Sequence, residues 1–370
     1  MEQVFPRSLA SVSGDDAFIR DGGAMATVTH GGRALAFARE HNVDYRDVLD
    51  FSANINPLGP SPKALEAIQQ AIDLVRVYPD ENPRQLIRCL SDRIGVPIDT
   101  ILPGNGATEL LYFWVRTIRP RTATLVVPTF AEYRKALESV GAEIQTIRLQ
   151  ADDYFRLPLA TGNTDVVIVT NPNNPAGSYA PPEEMLEWVN RFNSSTHIFV
   201  DEAFVEFTAQ PSLVRYLEQL PNLWVLRSMT KFYALPGLRL GYLVGSGVRA
   251  LLENREPWQV NALAELAGIA SLEDRNYQEA TMQLIQRERI WLWKQLQTVA
   301  GIHAFSTAAN FFFARCEQQD ALDRLLGRLM EQNILIRDCR NIEGLNGPYF
   351  RFAIKTREEN ARLLEHLRNL

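Results

Sequence analysis

The stretch LWVLRSMTKFYALPGLRLGY, residues 223–242, places hydroxyl groups and several cations between two apolar runs. A desolvated lysine amine close to other cations has a lowered pKa, and Lys231 in this setting could attack a carbonyl carbon to form a Schiff base. Ser228, Thr230 and Arg239 supply hydrogen-bond donors of the kind that bind phosphate. The stretch therefore predicts a site for a ligand that carries both a phosphate and a reactive carbonyl, although a lone lysine is ordinarily solvated.

Two further segments place polar side chains directly after apolar runs. Asp201 follows the run HIFV, and a buried carboxylate is costly unless a cation or hydrogen-bond donors meet it. Taken alone, Asp201 also fits a helix N-cap or a structural ion pair. The segment TNPNNPAG, residues 170–177, is a stiff turn that would hold Asn174 toward a ligand, but a turn of this composition also fits a purely structural role.

The segment PGNGATELLYFWV passes from a glycine-rich loop into a helix. The backbone N–H groups of Gly106, Ala107 and Thr108 at that helix start would form an anion site, although the segment lacks the signatures of a P-loop or a dinucleotide fingerprint. A phosphate site, a reactive lysine and a carboxylate for a ring cation together predict pyridoxal 5'-phosphate. Its pyridinium nitrogen pairs with an acid, and its aldehyde bonds to a lysine.

Composition and charge limit the class of protein. The 370 residues are 46% hydrophobic and 22% charged, and the formal net charge is −6, which argues against binding to nucleic acid or to an anionic membrane. No apolar run reaches the roughly 18 residues of a membrane span, and the first residues lack the layout of a secretory signal. Cys89, Cys316 and Cys339 are too scattered for a disulfide framework or a metal site. We therefore expect a cytoplasmic protein without a metal.

Short apolar runs alternate with amphipathic ones from about residue 100 to 245, which is typical of α/β proteins. The runs TATLVVP, DVVIVTNP, THIFVDEAF, NLWVLRS and RLGYLVG predict strands buried on both faces of a mostly parallel sheet. AEYRKALESVG predicts a helix that ends at Gly141. Ligands of such sheets bind beyond the carboxyl ends of the strands, which is where the polar residues described above collect.

A smaller α+β domain is predicted after about residue 250. Long helical segments come first, and the strand-like runs NFFFARC, ILIRDC and YFRFAI follow. We expect residues 1–60 to form an N-terminal arm and part of the small domain, residues 61–255 to form the large cofactor-binding domain, and residues 256–370 to form an interdomain helix and the rest of the small domain.

The motifs GNGATE, PTFAEY, TNPNNPAG, DEAF and SMTKFYALPGLRLGY, in this order, resemble the fold-type I aminotransferase superfamily. The resemblance extends from His30 to the C-terminus and implies a seven-stranded, mostly parallel sheet between helices. It is closest to the branch that contains histidinol-phosphate aminotransferases and threonine-phosphate decarboxylases, and HGG, DFSANINPLG, FAEYRKAL, PWQVNALA and ILIRDC are similar to the decarboxylases. Aminotransferases of this branch usually have DEAY, whereas Phe204 here removes a phenol that would bond the ring oxygen of the cofactor.

The resemblance also implies a role for individual residues toward the cofactor. Lys231 would bond the aldehyde, Asp201 would pair with the pyridinium nitrogen, and Asn174 would bond the ring oxygen. The ring would stack on Phe130. The residues that would bind the cofactor's phosphate are Gly106, Ala107, Thr108, Ser228, Thr230 and Arg239. Tyr78 would reach that phosphate from a partner subunit, which implies a homodimer.

On the substrate side, the resemblance implies that Arg351 clamps a carboxylate. It offers His30, Asn54 and Arg337 for the phosphate of a small phosphorylated amino acid, although His30 alone also fits an ordinary loop histidine. The implied activity is decarboxylation of L-threonine O-3-phosphate in cobalamin biosynthesis, with serine phosphate left open as the preferred substrate. Histidinol-phosphate transamination is an alternative. A non-catalytic regulator that binds the cofactor is disfavoured because no helix-turn-helix segment or basic arm precedes residue 30.

Overall fold

We describe a computed structural model of the chain, which covers residues 30–159 and 162–370. The helices are α1 (Ala34–His41), α2 (Pro62–Gln70), α3 (Arg84–Ile94), α4 (Ala107–Ile118), α5 (Glu132–Glu138), α6 (Pro182–Val189), α7 (Val248–Leu252), α8 (Ala262–Glu273), α9 (Arg275–Leu296), α10 (Gln319–Glu331) and α11 (Arg357–Leu367). The strands are β1 (Leu49–Asp50), β2 (Ile101–Gly104), β3 (Thr122–Val127), β4 (Glu143–Arg148), β5 (Val166–Thr170), β6 (His197–Asp201), β7 (Leu223–Ser228), β8 (Gly241–Gly245), β9 (Ile302–Phe305), β10 (Phe311–Cys316), β11 (Ile334–Leu335), β12 (Arg337–Asp338) and β13 (Tyr349–Ala353). Residues 1–29 of the predicted arm lie outside the described residues.

A seven-stranded sheet forms the centre of the molecule, in the order β2-β8-β7-β6-β5-β3-β4. Neighbouring strands from β7 to β4 are parallel, and β8 is antiparallel to both of its neighbours. Every residue of β5 and β7 is buried, as expected for strands that are covered by helices on both faces. The predicted α/β architecture with a mostly parallel seven-stranded sheet is confirmed.

Both edge strands of this sheet escaped the sequence analysis. Strand β4 has no apolar run, and each of its residues is exposed or half-buried. Strand β2 is buried but contains Pro103, and a proline argues against a central strand while an edge strand tolerates it. The helix predicted to end at Gly141 also ends earlier, at Glu138, with Ser139 as its C-cap. Gly141, at φ 75°, lies in the turn that follows.

The parallel strands bring polar residues to one edge of the sheet. Strands β5, β6 and β7 end at Thr170, Asp201 and Ser228, and Thr170 and Asp201 are Cα partners in the ladder. Strand β8 begins at this edge, and its Gly241 is the Cα partner of Ser228. A Cβ atom on Gly241 would lie 2.7 Å from the backbone nitrogen of Ala107. Only glycine there allows the start of α4 to approach the end of β7.

The long helical region after residue 250 is divided into separate helices. Helix α8 starts after Asn261, whose Oδ1 accepts a hydrogen bond of 2.8 Å from the Ala264 N–H. Helix α9 starts after Asp274, which caps the Tyr277 N–H. Side-chain acceptors at both positions meet the free N–H groups of a helix start. In the described ranges, none of the helices has the length and apolarity required to cross a membrane.

The second layer of structure contains a four-stranded antiparallel sheet in the order β12-β13-β10-β9. The predicted strand ILIRDC is two strands, because β11 pairs in parallel with β1 while β12 joins the antiparallel sheet. The pairing of β1 with β11 links the segment near residue 50 to the C-terminal part of the chain. The pairing of β12 with β13 places Arg337 directly opposite Arg351 on the neighbouring strand. The domain limits given above stay a prediction.

Candidate active site

Lys231 lies in the loop between β7 and β8, and its amine is the centre of the site. Burial, reinforced by the guanidinium groups of Arg351 and Arg239 and opposed by Asp201, lowers the pKa of Lys231 to about 8. The Lys231 carbonyl accepts a hydrogen bond of 3.0 Å from the Asn56 N–H, which fixes the backbone from the N-terminal segment. The predicted desolvated lysine among cations is therefore present in the fold.

Asp201 ends β6 and receives donors on both of its carboxylate oxygens. The Tyr133 hydroxyl donates to Oδ2, and the Ala203 N–H donates to Oδ1 at 2.6 Å. Burial raises the pKa of Asp201, while these two donors and the Lys231 ammonium act in the opposite direction. Asp201 forms no ion pair among the described residues, so the structural-pair alternative does not apply. Tyr133 escaped the sequence analysis, although it lies within the motif PTFAEY.

The start of α4, two hydroxyl groups and one arginine form an anion cradle. No side chain caps α4, so the N–H groups of its first turn, at Ala107 and Thr108, have no partner within the helix. The hydroxyls of Ser228 and Thr230 lie 2.8 Å apart. The Arg239 guanidinium packs against Gly106, where an added Cβ atom would lie 2.6 Å from Nη2. The Gly106 N–H donates to the Gly104 carbonyl at 2.8 Å, so this tight turn takes up the donor that the sequence analysis assigned to the anion site. The N–H groups of Ala107 and Thr108 and the side chains of Ser228, Thr230 and Arg239 have a geometry suited to phosphate.

Two arginines face each other across the antiparallel sheet. Arg351 is 8% exposed and is the Cα partner of Arg337. Its Nη1 donates to Oδ1 of Asn174, and its Nη2 donates to the Ser52 carbonyl at 2.9 Å, whereas its Nε has no partner. Burial lowers the pKa of Arg351 to about 10, opposed by Cys339 and reinforced by Arg337.

Four of the predicted site cations lack an acidic partner. In the part of the chain that the structure describes, none of Lys231, Arg239, Arg337 and Arg351 forms an ion pair with a carboxylate. Arg337 instead donates to the Asn341 amide oxygen at 2.9 Å. Arg239 is exposed, but Lys231 and Arg337 are half-buried and Arg351 is buried, and such cations without acids require anions from elsewhere. This group of cations indicates a ligand site with more than one anionic group.

His30 and Asn54 belong to the N-terminal segment, which contacts Arg351 through Ser52. The His30 Nε2 lies 2.9 Å from Oε1 of Glu132, and its ring centroid lies 5.3 Å from that of Phe130. Asn54 is 2% exposed, and its Oδ1 has no hydrogen-bond partner. The contacts of His30 favour a defined position over an ordinary loop histidine, but Glu132 was not identified from the sequence.

Arg227 and Tyr78 lie apart from the cluster. Arg227, another cation of the lysine stretch, is 5% exposed and pairs with Glu202 at 2.9 Å and Glu206 at 3.3 Å. It follows that Arg227 contributes to an internal ion-pair network and leaves no free charge for a ligand.

Tyr78 is 79% exposed and stacks on Trp258, with ring centroids 4.6 Å apart. Within one chain, it therefore belongs to the surface.

The chain that forms this site is similar to known proteins over most of its length. The family model described as "Aminotransferase class I and II" matches residues 46–367. The chain belongs to this family. A threonine-phosphate decarboxylase of Salmonella typhimurium is 38% identical over 358 residues, which are 94% of this chain and 98% of the relative.

Two further family members resemble the chain in different respects. An adenosylcobalamin biosynthesis bifunctional protein of Leptospira interrogans is 28% identical over 92% of this chain, which corresponds to 41% of its own length. The crystal structure of the histidinol-phosphate aminotransferase from Clostridium acetobutylicum has a TM-score of 0.78 and 32% identity, covering 87% of this chain and 98% of that chain. The family fold therefore extends over most of the described residues.

The lowered pKa of Lys231 predicts unusual amine reactivity in the ligand-free protein. Only the neutral amine reacts with trinitrobenzenesulfonate, so modification of Lys231 should rise with pH with a midpoint at about 8. Peptide mass spectrometry would measure the extent of modification at each pH. Arg351→Met should move the midpoint upward, because Arg351 is the largest charged contributor to the shift. A midpoint near the ordinary value of 10.5 would contradict the prediction.

Proposed function

We propose that this chain is a pyridoxal-phosphate-dependent enzyme that decarboxylates L-threonine O-3-phosphate to (R)-1-aminopropan-2-ol O-phosphate and carbon dioxide, in cobalamin biosynthesis. The facing arginines, Arg337 and Arg351, carry the proposal. Both lack a carboxylate partner in the described ranges, and like charges directly opposite on neighbouring strands are unfavourable. A substrate with a phosphate and a carboxylate would relieve both costs. The Salmonella relative is named for this activity, and the Leptospira relative is named for adenosylcobalamin biosynthesis.

The residues of the site fit pyridoxal phosphate group by group. The anion cradle at the start of α4 suits its phosphate, and Gly106 leaves the room that Arg239 needs. Asp201, held by Tyr133 and the Ala203 N–H, would keep a proton on the ring nitrogen. Lys231 would bond the aldehyde, and Phe130 would supply an aromatic face. Asn174 would bond the ring oxygen through the amide group that contacts Arg351.

The chain's own residues would determine the outcome by binding and orienting the substrate. When bound, the cofactor supplies an electron sink for the pair released at the substrate α-carbon. Arg351 and Arg337, with His30 and Asn54, would hold the two anionic groups of the substrate and so set which α-carbon bond is broken. Lys231 Nζ, with a pKa of about 8, suits the return of a proton to the α-carbon after carbon dioxide has left.

Histidinol-phosphate transamination is the second candidate, favoured by the 32% identity with the Clostridium acetobutylicum aminotransferase. Histidinol phosphate contains a phosphate but no carboxylate, so in its half-reaction it would leave part of the arginine pair without an anion, and only 2-oxoglutarate would supply a carboxylate there. Phe204, the position at which aminotransferases of this branch usually have the phenol of DEAY, is 5% exposed, and its ring centroid lies 5.1 Å from that of Phe311. No hydroxyl is present at that position, which favours the decarboxylase.

The deciding experiment uses the holoenzyme and two substrate mixtures. With L-threonine O-3-phosphate we expect stoichiometric release of carbon dioxide and 1-aminopropan-2-ol phosphate. Amino transfer from histidinol phosphate to 2-oxoglutarate, with no carbon dioxide from threonine phosphate, would establish the second candidate instead. L-serine O-phosphate in the same assay would measure selectivity for one methyl group, which a pocket discriminates by about 1–3 kcal/mol.

Loss of the buried guanidinium should impair substrate binding and orientation together. We expect Arg351→Met to lower kcat/KM by roughly 100-fold or more, because two hydrogen bonds to a charged group are each worth about 1.5–3 kcal/mol. Steady-state kinetics would separate KM from kcat. Arg315→Met is the matched control, since Arg315 lies on β10 with its side chain over Tyr349. Unchanged kinetics in Arg351→Met would refute its role.

We also infer a homodimer that uses the exposed apolar surface around Tyr78. Val75, Val77 and Tyr78 are 66%, 61% and 79% exposed, and Trp258 beside them is 43% exposed. Contiguous exposed apolar side chains are typical of protein interfaces. In such a dimer, Tyr78 would reach the phosphate cradle of the partner subunit, as the family resemblance implies.

A charge in this surface should separate the subunits. We expect Val77→Asp to convert a dimer into monomers in sedimentation velocity, because the charge would be desolvated at the interface. Tyr78→Phe should stay dimeric but bind pyridoxal phosphate more weakly. Met330→Asp, on the exposed side of α10, is the control and should remain dimeric. A dimeric Val77→Asp protein would place the interface elsewhere.

A further inference from the structure

Glu132, the first residue of α5, accepts hydrogen bonds from three side chains on different elements. Its Oε2 accepts from the Tyr112 hydroxyl at 2.7 Å, and its Oε1 accepts from Lys135 Nζ at 2.9 Å and contacts His30 Nε2 at 2.9 Å. The carboxylate is only 13% exposed, whereas the His30 side chain is 42% exposed. The Glu132 carboxylate is therefore fixed by its neighbours, and His30 is the more exposed partner that it can orient.

The segment that carries His30 is also attached on the opposite side of the site. A Cβ atom on Gly31 would lie 2.1 Å from the Ser52 carbonyl oxygen, and the Gly32 N–H donates to Ser52 Oγ at 2.9 Å. That same Ser52 carbonyl accepts from Arg351 Nη2. Residues 30–32 thus connect the Arg351 corner to α5, with the His30 ring beside Phe130.

We propose that Glu132 is a positioning residue, which holds His30 as an imidazolium whose other nitrogen, Nδ1, donates to an anionic group of the substrate. With Nε2 committed to Glu132, a neutral ring that donates there has a bare acceptor at Nδ1, which would repel an anion. Only the imidazolium donates at both nitrogens. This inference rests on the proposed function, because it assigns His30 to the substrate's anionic end.

The charges around this pair favour the assignment. The charged and titratable groups that contact Glu132 are His30, Lys135 and Tyr112. Burial pushes the pKa of Glu132 upward, but the hydrogen bonds from Lys135, Tyr112 and His30 outweigh it and lower the pKa. Burial and the bond to Glu132 raise the pKa of Tyr112 to about 12. Tyr112 therefore remains a neutral donor, and Glu132 remains an ionised acceptor for His30.

The test compares Glu132→Gln with a charge-matched change on the same helix. Glutamine retains the shape of Glu132 but removes its charge. We expect KM for L-threonine O-3-phosphate to rise about tenfold, because the loss of one charge-assisted hydrogen bond costs about that factor. The value of kcat should change less than about threefold. Glu138→Gln is the control, because Glu138 pairs with Arg134 at the other end of α5. It should leave KM unchanged.

A double-mutant cycle with His30→Ala separates positioning from a general structural effect. If Glu132 acts through His30, then adding Glu132→Gln to His30→Ala should produce no further rise in KM. Additive effects in the double variant, or an unchanged KM in Glu132→Gln alone, would overturn the inference.

A binding measurement keeps this inference distinct from the proposed function. Isothermal titration of the holoenzyme with 1-aminopropan-2-ol O-phosphate, the proposed product, which has no carboxylate to lose, and with histidinol phosphate in the absence of 2-oxoglutarate measures Kd without release of carbon dioxide. If carbon dioxide is not released but Glu132→Gln weakens binding of whichever phosphate ester binds, the proposed reaction fails and the positioning role holds. If carbon dioxide is released but Kd and KM are unaffected, the positioning role fails alone.

Discussion

The site depends on four cations that have no carboxylate partner in the described chain. Arg351 is buried, Lys231 and Arg337 are half-buried, and Arg239 is exposed, while Asp201 is the acid whose charge acts on Lys231. Burying such charges is costly until anions arrive. The fold therefore favours the binding of anionic ligands at this site. The same desolvation lowers the pKa of Lys231 and so prepares its amine for reaction.

Arg227 illustrates what an ordinary buried arginine requires. It is adjacent to Ser228 on β7 but points to a different environment, where Glu202 and Glu206 neutralise it. Successive residues of a strand face opposite sides of the sheet, so one residue of difference decides between an internal ion pair and a ligand site. Arg351 is also buried but has no such acids, and its guanidinium donates to the Asn174 amide oxygen and the Ser52 carbonyl instead. A buried cation without an acidic partner is unfavourable. The contrast with Arg227 therefore indicates that Arg351 binds an anionic ligand.

The positions of these groups follow from strand ends and two close approaches of the backbone. Parallel strands deliver Asp201 and Ser228 to one edge, and Gly241 and Gly106 let α4 and Arg239 approach that edge. The antiparallel sheet contributes Arg337 and Arg351 through its register. Contacts from Asn56 to the Lys231 carbonyl tie the N-terminal segment to the same loop. None of these elements is unusual by itself, and the site forms where the strand ends, the start of α4 and the antiparallel sheet come together.

The sequence by itself determined the α/β architecture and the identity of the chemistry-bearing residues, because apolar runs and their polar ends are local patterns. It predicted Lys231, Asp201 and the glycine-rich start of α4 as parts of one site, since strand ends converge in such sheets. Edge strands β2 and β4 escaped it, as one contains proline and the other has no apolar run.

Tertiary structure alone decided which groups are partners. Tyr133 on Asp201, Glu132 on His30 and Asn174 on Arg351 are separated by between 68 and 177 residues in the chain. A hydrogen bond across such a distance leaves no periodic signal in a single sequence. The division of ILIRDC between two sheets, which sets Arg337 opposite Arg351, likewise depends on long-range pairing. Residue types are local properties, but the balance of charge in a buried site belongs to the whole fold.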